Sequence, residues 1–591
     1  MAVHIHGREI IRETTNTETL SGTKTLVISD AQIQYLNPDG ADRDVVASAE
    51  AVSDGLEFSI FNTGEELLTF KNDGGDTIDY INPYSSRIFK CDGTDWNSLK
   101  DIADLINAVA YGVSWDEDDS SPTLTRTGAL IGVAAGITPG NVLLPIQAVM
   151  RRCVMADDGT IEYYLSATDS TKKEDGTTAS DLVGGDGQVM VEIPKFYYKY
   201  SYIAATNVHN WSIASVMLPG YKLHPAFMKN GAEVDFRYMG AYEGVLYDDS
   251  ESKYVNGLYM PSDATYTFSF LDNGGGDDTI TADANTNAFT NLVATVDKIV
   301  VSGSTVNDGT YDIKSVTDTV ITLNTGSLAG TQANDQCVIQ VQRDWTATTG
   351  DVLGSVSGFA PMNYGTRDNF RDVAATRGTG WRCNDYDLVS AIQLLYLVEY
   401  ASFYSQSVIG AGLTDWAAGW PVWNNSNPIE KTGNSNSDGN ATANTSGGDA
   451  TAGSYMSYRG IENFFGHIWK WVDGFNINGN IPYVHNTDTE FADDTTANYT
   501  RLEDVNGDGI TLHNGDGYQV TLEQIDRGFL PASVGGSSST YITDYYYQAA
   551  GWRVAELGGV ASHGAFAGVA CWYLSIAAAS LDRIIGSRLS F

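Results

Sequence analysis

Apolar and polar side chains alternate along residues 24–95. Leu56, Phe58 and Ile60, then Leu68 and Phe70, take every second position between turns such as Asn72-Asp73-Gly74. A period of two belongs to half-buried strands, so residues 1–95 are expected to form a small β module. The period then changes. In DWNSLKDIADLINAVAYGV, Leu99, Ile102, Ile106 and Val109 follow a 3-4-3 spacing. That spacing predicts a short helical linker over 96–112, its seam suited to a coiled coil or to packing on its own domain. Residues 113–263 have a mixed texture, with strands such as QVMVEIPKFYYKY, where Pro194 points to an edge or a bulge. Between 264 and 343 the runs YTFSFLD, KIVVSGS, YDIKSV, TVITLNT and CVIQVQ return to pure β patterning with Asn/Asp-Gly turns, as an inserted small β domain would.

One strong helix is expected in the last part, 344–591. DYDLVSAIQLLYLVEYASFY is apolar on nearly every face, which predicts burial, and Asn384 or Asp385 can cap its start. The stretch 423–454 has almost no apolar content and predicts a long surface loop, ordered only where something packs over it. The closing segment 551–591 is of two kinds. Gly551, Trp552, Arg553, Gly558, Gly559, Gly564, Gly568, Trp572, Leu574, Gly586 and Arg588 suit a tight frame, while His563, Phe566, Tyr573, Ile576, Asp582 and Ile584 follow no period. The fold class expected is therefore mainly β, with an α+β C-terminal domain.

Charge narrows the partners. Lys+Arg 34 against Asp+Glu 74 gives a net charge of −40, a sign that repels nucleic-acid phosphates and anionic membranes, so neither is an expected partner. Much of this acid sits in turn-forming pairs such as Asp158-Gly159 and Asp516-Gly517. Five scattered cysteines argue against a disulfide framework and for synthesis in a reducing cytoplasm. The start MAVHIHGREIIRETTN lacks the apolar core of a secretory signal, and no run reaches the ~18 apolar residues of a membrane span.

Candidate chemistry is sparse. His4 and His6 alternate near a terminus with no carboxylate or cysteine cluster beside them, which fits exposed strand positions better than metal ligands. Asp504, Asn506 and Asp508 open like a calcium loop, but the twelfth position is Gly515. The bidentate carboxylate of a full loop is missing, leaving a looser structural calcium or a plain turn. No Gly-x-Ser-x-Gly, P-loop, HExxH or dinucleotide fingerprint occurs, and Cys383 and Cys571 have no adjacent histidine. No catalytic residue is expected, and no cofactor beyond that calcium.

Several runs together, YGVSWDEDDSSPTLTRTG, MRRCVMADDGTIEYYLSATDSTKKEDGT, QVMVEIPKFYYKY, HPAF, GDVLGSVSG, GWRCNDYDLVSAIQLLYLVEYASFYSQS, RGIENFFGHIWKWVDGFNI and the closing GWRVA…GSRLSF, span most of the chain outside the first hundred residues and the insert. They resemble phage tail proteins with the C-type lectin fold, a fold shared with formylglycine-generating enzymes. The group includes the variable tropism determinants of diversity-generating retroelements. The insert is similar to β modules of phage structural proteins, and residues 58–96 to modules near the attachment ends of tail fibres.

The resemblance implies a non-enzymatic receptor-binding protein of the virion, a homotrimer at a fibre tip. Its first module would join other tail proteins, and its C-terminal face would bind a host surface protein or glycan. It also implies that adenine-directed mutagenesis rewrites Val560, Ser562, His563, Phe566, Cys571, Tyr573, Ser575, Ile576, Ser580, Asp582 and Ile584. The frame of Trp469, Trp471, Trp552, Gly558, Gly559, Trp572 and Arg588 would stay fixed. All eleven variable types are reachable from Asn or Tyr codons by changing adenines. Three competing readings remain. An oxidase of the formylglycine-generating kind requires Cys383 and Cys571 to meet. A glycan hydrolase requires a carboxylate pair about 5–9.5 Å apart in a cleft. A purely structural spike requires a buried C-terminal face.

Overall fold

The period-two stretches pair into sheets, and the chain is mainly β. The computed structural model describes residues 3–5, 8–10, 15–83, 85–99, 109–250, 252–257, 267–283, 288–289, 292, 294, 298–341, 350–415, 430–445, 453–582 and 584–591. They fall into two units, Met1–Ala110 and Tyr111–Phe591. Among the described residues no helix is long and apolar enough to cross a membrane. His6 lies outside the described residues.

In the first unit a five-stranded sheet runs Trp96–Leu99, Ser86–Cys91, Glu57–Asn62, Ile33–Asn37, Thr15–Thr19, and a four-stranded one runs Lys24–Thr25, Arg43–Val46, Leu68–Lys71, Thr77–Ile81. Alternate residues Phe58, Ile60, Leu68 and Phe70 share one core, with Phe70 stacked on Phe89 at 3.7 Å. The expected helical linker is corrected at both ends. Trp96–Leu99 is a strand, because Trp96 buries its indole against Phe58 and Phe70 (5.9 and 5.7 Å). Burial of a ring that size outweighs helix propensity. Tyr111–Asp116 is likewise a strand, and the positions of Ile102 and Ile106 lie outside the described residues.

In the second unit the strong apolar run forms the helix Tyr386–Tyr400, all fifteen residues buried. Asp385 caps it, its carboxylate accepting from Leu388 N at 3.0 Å, and Ala401 closes it in the left-handed region at φ 51°. The helix packs against the strands Tyr111–Asp116 and Val208–Ala214 and against Trp469–Asn478 of a nine-stranded sheet. That sheet runs Thr500–Arg501, Ile481–Val484, Trp469–Asn478, Trp552–Leu557, Trp572–Ile576, Ile542–Gln548, Gly515–Leu522, Pro531–Val534, with Ile585–Gly586 parallel to Trp469–Asn478. Gln188–Pro194 lies inside a six-stranded sheet, and Pro194 ends it opposite Phe236 instead of marking an edge, since a missing N–H costs least at a strand end. Strands between Thr267 and Val341 pair only with one another among the described residues.

The chain end is locked in place. Leu589–Ser590 enters the six-stranded sheet between Phe236–Gly240 and Arg382–Cys383, and Phe591 meets Trp381 at 5.0 Å. Arg588 is buried and donates to the carbonyls of Gly240 (2.8 Å), Asn463 (3.1 Å) and Glu462. Part of the polar stretch 423–454 is also anchored. Gly433 N and Ser435 N donate to the buried Glu462 carboxylate at 2.8 and 2.7 Å, and Arg152 N donates to Asn440 Oδ1.

Candidate ligand-binding face

Register across the nine-stranded sheet decides which side chains share a face. Trp471 stands opposite Glu556, Glu556 opposite Tyr573, Tyr573 opposite Tyr547, and Tyr547 opposite Asp516; Tyr545 stands opposite Tyr518. Side chains alternate along a strand, so the intervening Tyr546, Trp572, Leu574 and Leu557 point the other way, into the core shared with the helix Tyr386–Tyr400.

The outward face carries a continuous run of rings. Tyr547 meets Tyr573 at 5.3 Å, Tyr573 meets Trp469 at 5.5 Å, and Trp469 meets His563 at 5.1 Å. His563 reaches Phe566 at 6.3 Å, and Phe566 closes on Tyr545 at 4.3 Å and Tyr518 at 5.5 Å. These separations are those of favourable aromatic pairs. Phe566 is 40% and Tyr547 36% exposed, whereas Trp469 is buried beneath the run. Tyr545 donates its hydroxyl to Asp516 at 2.6 Å, placing an acid at the rim.

Of the eleven candidate contact positions, Ser562, His563, Phe566, Tyr573, Ser575, Ile576, Ser580, Asp582 and Ile584 are at least partly open to solvent. Two are corrected. Val560 and Cys571 are core residues at 0% and 2% exposure, because both side chains join the apolar cluster that holds Trp469, Trp471 and Val554. Within the expected frame, Trp469, Trp471 and Trp572 are buried, but Trp552 is only half-buried near an exposed turn. Gly558 is required: its φ is 93°, and a Cβ there would crowd Phe464 O at 3.0 Å. Tyr518, Tyr545 and Tyr547 were not anticipated, although YITDYYYQ carries the signal: with Tyr546 turned inward, period two turns its neighbours outward.

Two polar atoms lie buried here with no hydrogen-bond partner among the described residues, Glu556 Oε1 and His563 Nδ1. Burial, reinforced by Asp582, pushes the Glu556 carboxyl well above the usual carboxylate range. Burial alone pushes His563 down to about 4, so its ring is neutral at physiological pH. The face thus offers the aromatic planes of Phe566, Tyr547 and Tyr573, suited to binding a ligand by stacking, while the Glu556 carboxyl is buried at 1% exposure.

The backbone of the loop is held from outside it. Gln406 Nε2 donates to Gly564 O and Ala567 O (2.8 and 2.7 Å), Gln393 Nε2 to Val569 O (2.8 Å), and Gln519 Nε2 to Ala570 O (2.8 Å). Asp544 accepts from Ala570 N at 2.7 Å.

Asp504 uses its carboxylate on the N–H groups of Asn506 and Asp508 (2.8 and 2.9 Å), as a tight turn does, and among the described residues no group of three His, Cys, Asp or Glu could hold a metal. Cys383 lies 2.7 Å from Ser587 Oγ and Cys571 is buried just before the strand Trp572–Ile576; burial raises both thiols, Cys383 to about 12. The sequence matches no protein-family model and no curated protein.

Proposed function

We propose that the protein is the receptor-binding protein of a phage tail fibre and that its outward aromatic face binds a host surface protein or glycan. In this reading the first unit joins other tail proteins, the particle carries the chain as a homotrimer, no reaction is catalysed, and a retroelement rewrites the outward positions. The observation that supports it best is the run of rings in which His563, Phe566 and Tyr573 interleave with Trp469, Tyr518, Tyr545 and Tyr547. Aromatic anchors on a rigid sheet lose little conformational entropy on binding and dominate recognition surfaces. Repeated copies would add avidity.

The test is binding of labelled protein to host cells. Phe566→Ala and Tyr573→Ala are expected to weaken binding at least tenfold each, with circular dichroism unchanged. Undiminished binding by both variants would sink the proposal. Deep sequencing of the DNA for residues 551–591 tests diversification separately: adenine-derived changes are expected at the nine open positions. A uniform population with no template repeat would remove that part alone.

A further inference from the structure

Glu556, Tyr573, Tyr547 and Asp516 stand in register across the outward face, one from each of four neighbouring strands of the nine-stranded sheet. Two tyrosines thus sit between two acids. Positions paired in this way hold their Cβ atoms about 5 Å apart, so each carboxyl lies beside a ring. The two rings meet at 5.3 Å with their planes inclined by 58°, and Trp469 continues them at 5.5 Å from Tyr573.

The inner acid has no counterion. Glu556 is 1% exposed, and its Oε1 has no hydrogen-bond partner among the described residues. Trp471 and Tyr573 flank it across the strands, and the charge that bears on it is that of another acid, Asp582. At the other end of the row Asp516 commits one oxygen to the Tyr545 hydroxyl. Ring faces attract cations through their quadrupole, and carboxylates beside them add to that attraction. An anionic ligand would be repelled by the same acids.

We infer that this row recognises a quaternary ammonium group, of the trimethylammonium kind, on the ligand. The inference rests on the ligand-binding reading of this face and names the chemistry the face selects. Burial of Glu556 decides which cation fits. Its carboxyl is too enclosed to accept a hydrogen bond from a ligand, so an ammonium or guanidinium over the rings would leave N–H donors unpaired on that side. A trimethylammonium has no donor to satisfy, and it takes the charge of Glu556 through space. Such a cation favours the ionised carboxyl, which burial and Asp582 oppose, so ligand and proton compete and affinity rises with pH. Neither His563, held down at about 4, nor Tyr545, pushed up to about 12, titrates between pH 6 and pH 9 to blur that dependence.

Calorimetric titration of the full chain at fixed ionic strength tests it, with choline set against its uncharged isostere 3,3-dimethylbutan-1-ol. Choline is expected to bind about tenfold tighter than the isostere, and tighter than butylammonium. Its affinity is expected to rise about fivefold from pH 6 to pH 9 in the wild type and to stay level in Glu556→Gln. Equal binding of choline and isostere, tighter binding of butylammonium, or the same pH dependence in both proteins would overturn the inference. Choline-substituted dextran and phosphatidylcholine vesicles separate the sources of the group: retention by the dextran places it on a surface polymer, retention by vesicles alone on a lipid, and retention by neither overturns the inference. Host-cell binding that needs Phe566 and Tyr573 but persists in saturating choline would overturn this inference alone. Absence of cell binding would overturn the ligand-binding reading, and the choline titration decides the site's chemistry separately.

Discussion

Asp544 sits on the strand Ile542–Gln548 facing the helix Tyr386–Tyr400, and replacing it by Asn should make the protein more stable at neutral pH. Its carboxyl is 2% exposed among Gln393, Tyr396, Leu397, Phe403, Phe529 and Val569, with no cation in that shell. Burial pushes it from an ordinary 3.8 up to about 8, against the pull of the Ala570 N–H and the Thr543 hydroxyl. Because the folded value lies above the unfolded one, this group's contribution is complete below about pH 3.8 and is lost as pH rises towards 8. At pH 7 the gap is about three pH units, which at 1.36 kcal/mol each is roughly 4 kcal/mol. Asn keeps an oxygen for the Ala570 N–H and does not titrate. With an unfolding entropy of ~2.1 cal/mol/K per residue over the second unit, 1 kcal/mol corresponds to ~1 °C. Asp544→Asn should therefore match the wild type near pH 4 and exceed its melting midpoint by ~4 °C at pH 7 in calorimetry. A difference that does not change with pH would refute the reasoning, because it would mean that Asp544 ionises as easily folded as unfolded.

Two further outcomes follow from the same packing. Gly568→Ala places a Cβ onto the Asp544 carboxylate and should cost about 1–3 kcal/mol, read as a lower melting midpoint, with much of the loss recovered in a Gly568→Ala, Asp544→Ala double variant. All five cysteines are buried and unpaired, so a thiol reagent should label none of them rapidly before denaturant is added; a fast-reacting thiol in the native protein would contradict the assigned burial of Cys383 and Cys571.

Legibility from the sequence followed the range of the forces involved. The helix Tyr386–Tyr400 and its Asp385 cap were readable because an all-apolar run and its cap are local facts. The Phe58, Ile60, Leu68 and Phe70 strands were readable for the same reason. Trp96 was misread because its partners Phe58 and Phe70 lie 38 and 26 positions earlier, and nothing local announces them. Val560 and Cys571 were placed on the open surface because the segment around them has no period of its own, while Tyr545 and Tyr547 were passed over although their strand alternates. The ring run depends on register: Tyr547 faces Tyr573 through a parallel pairing that only the folded sheet specifies.

The loop also shows how a fixed frame can carry arbitrary side chains. What holds residues 564–570 are hydrogen bonds to their backbone from Gln393, Gln406, Gln519 and Asp544, all outside the loop. Those bonds are indifferent to which side chain the loop residue bears. Among the described residues, no side-chain hydrogen bond from Ser562, His563, Phe566 or Tyr573 ties the loop down, so exchanging these groups removes ring contacts and leaves the backbone supports intact. What is lost is the ring contacts, about 0.5–1.5 kcal/mol for each pair. Removing Gln393 instead strands the Val569 carbonyl in the core, at about 1–3 kcal/mol. Tolerance of the outward positions and intolerance of their distant supports are one consequence of where the hydrogen-bond partners of the loop backbone sit.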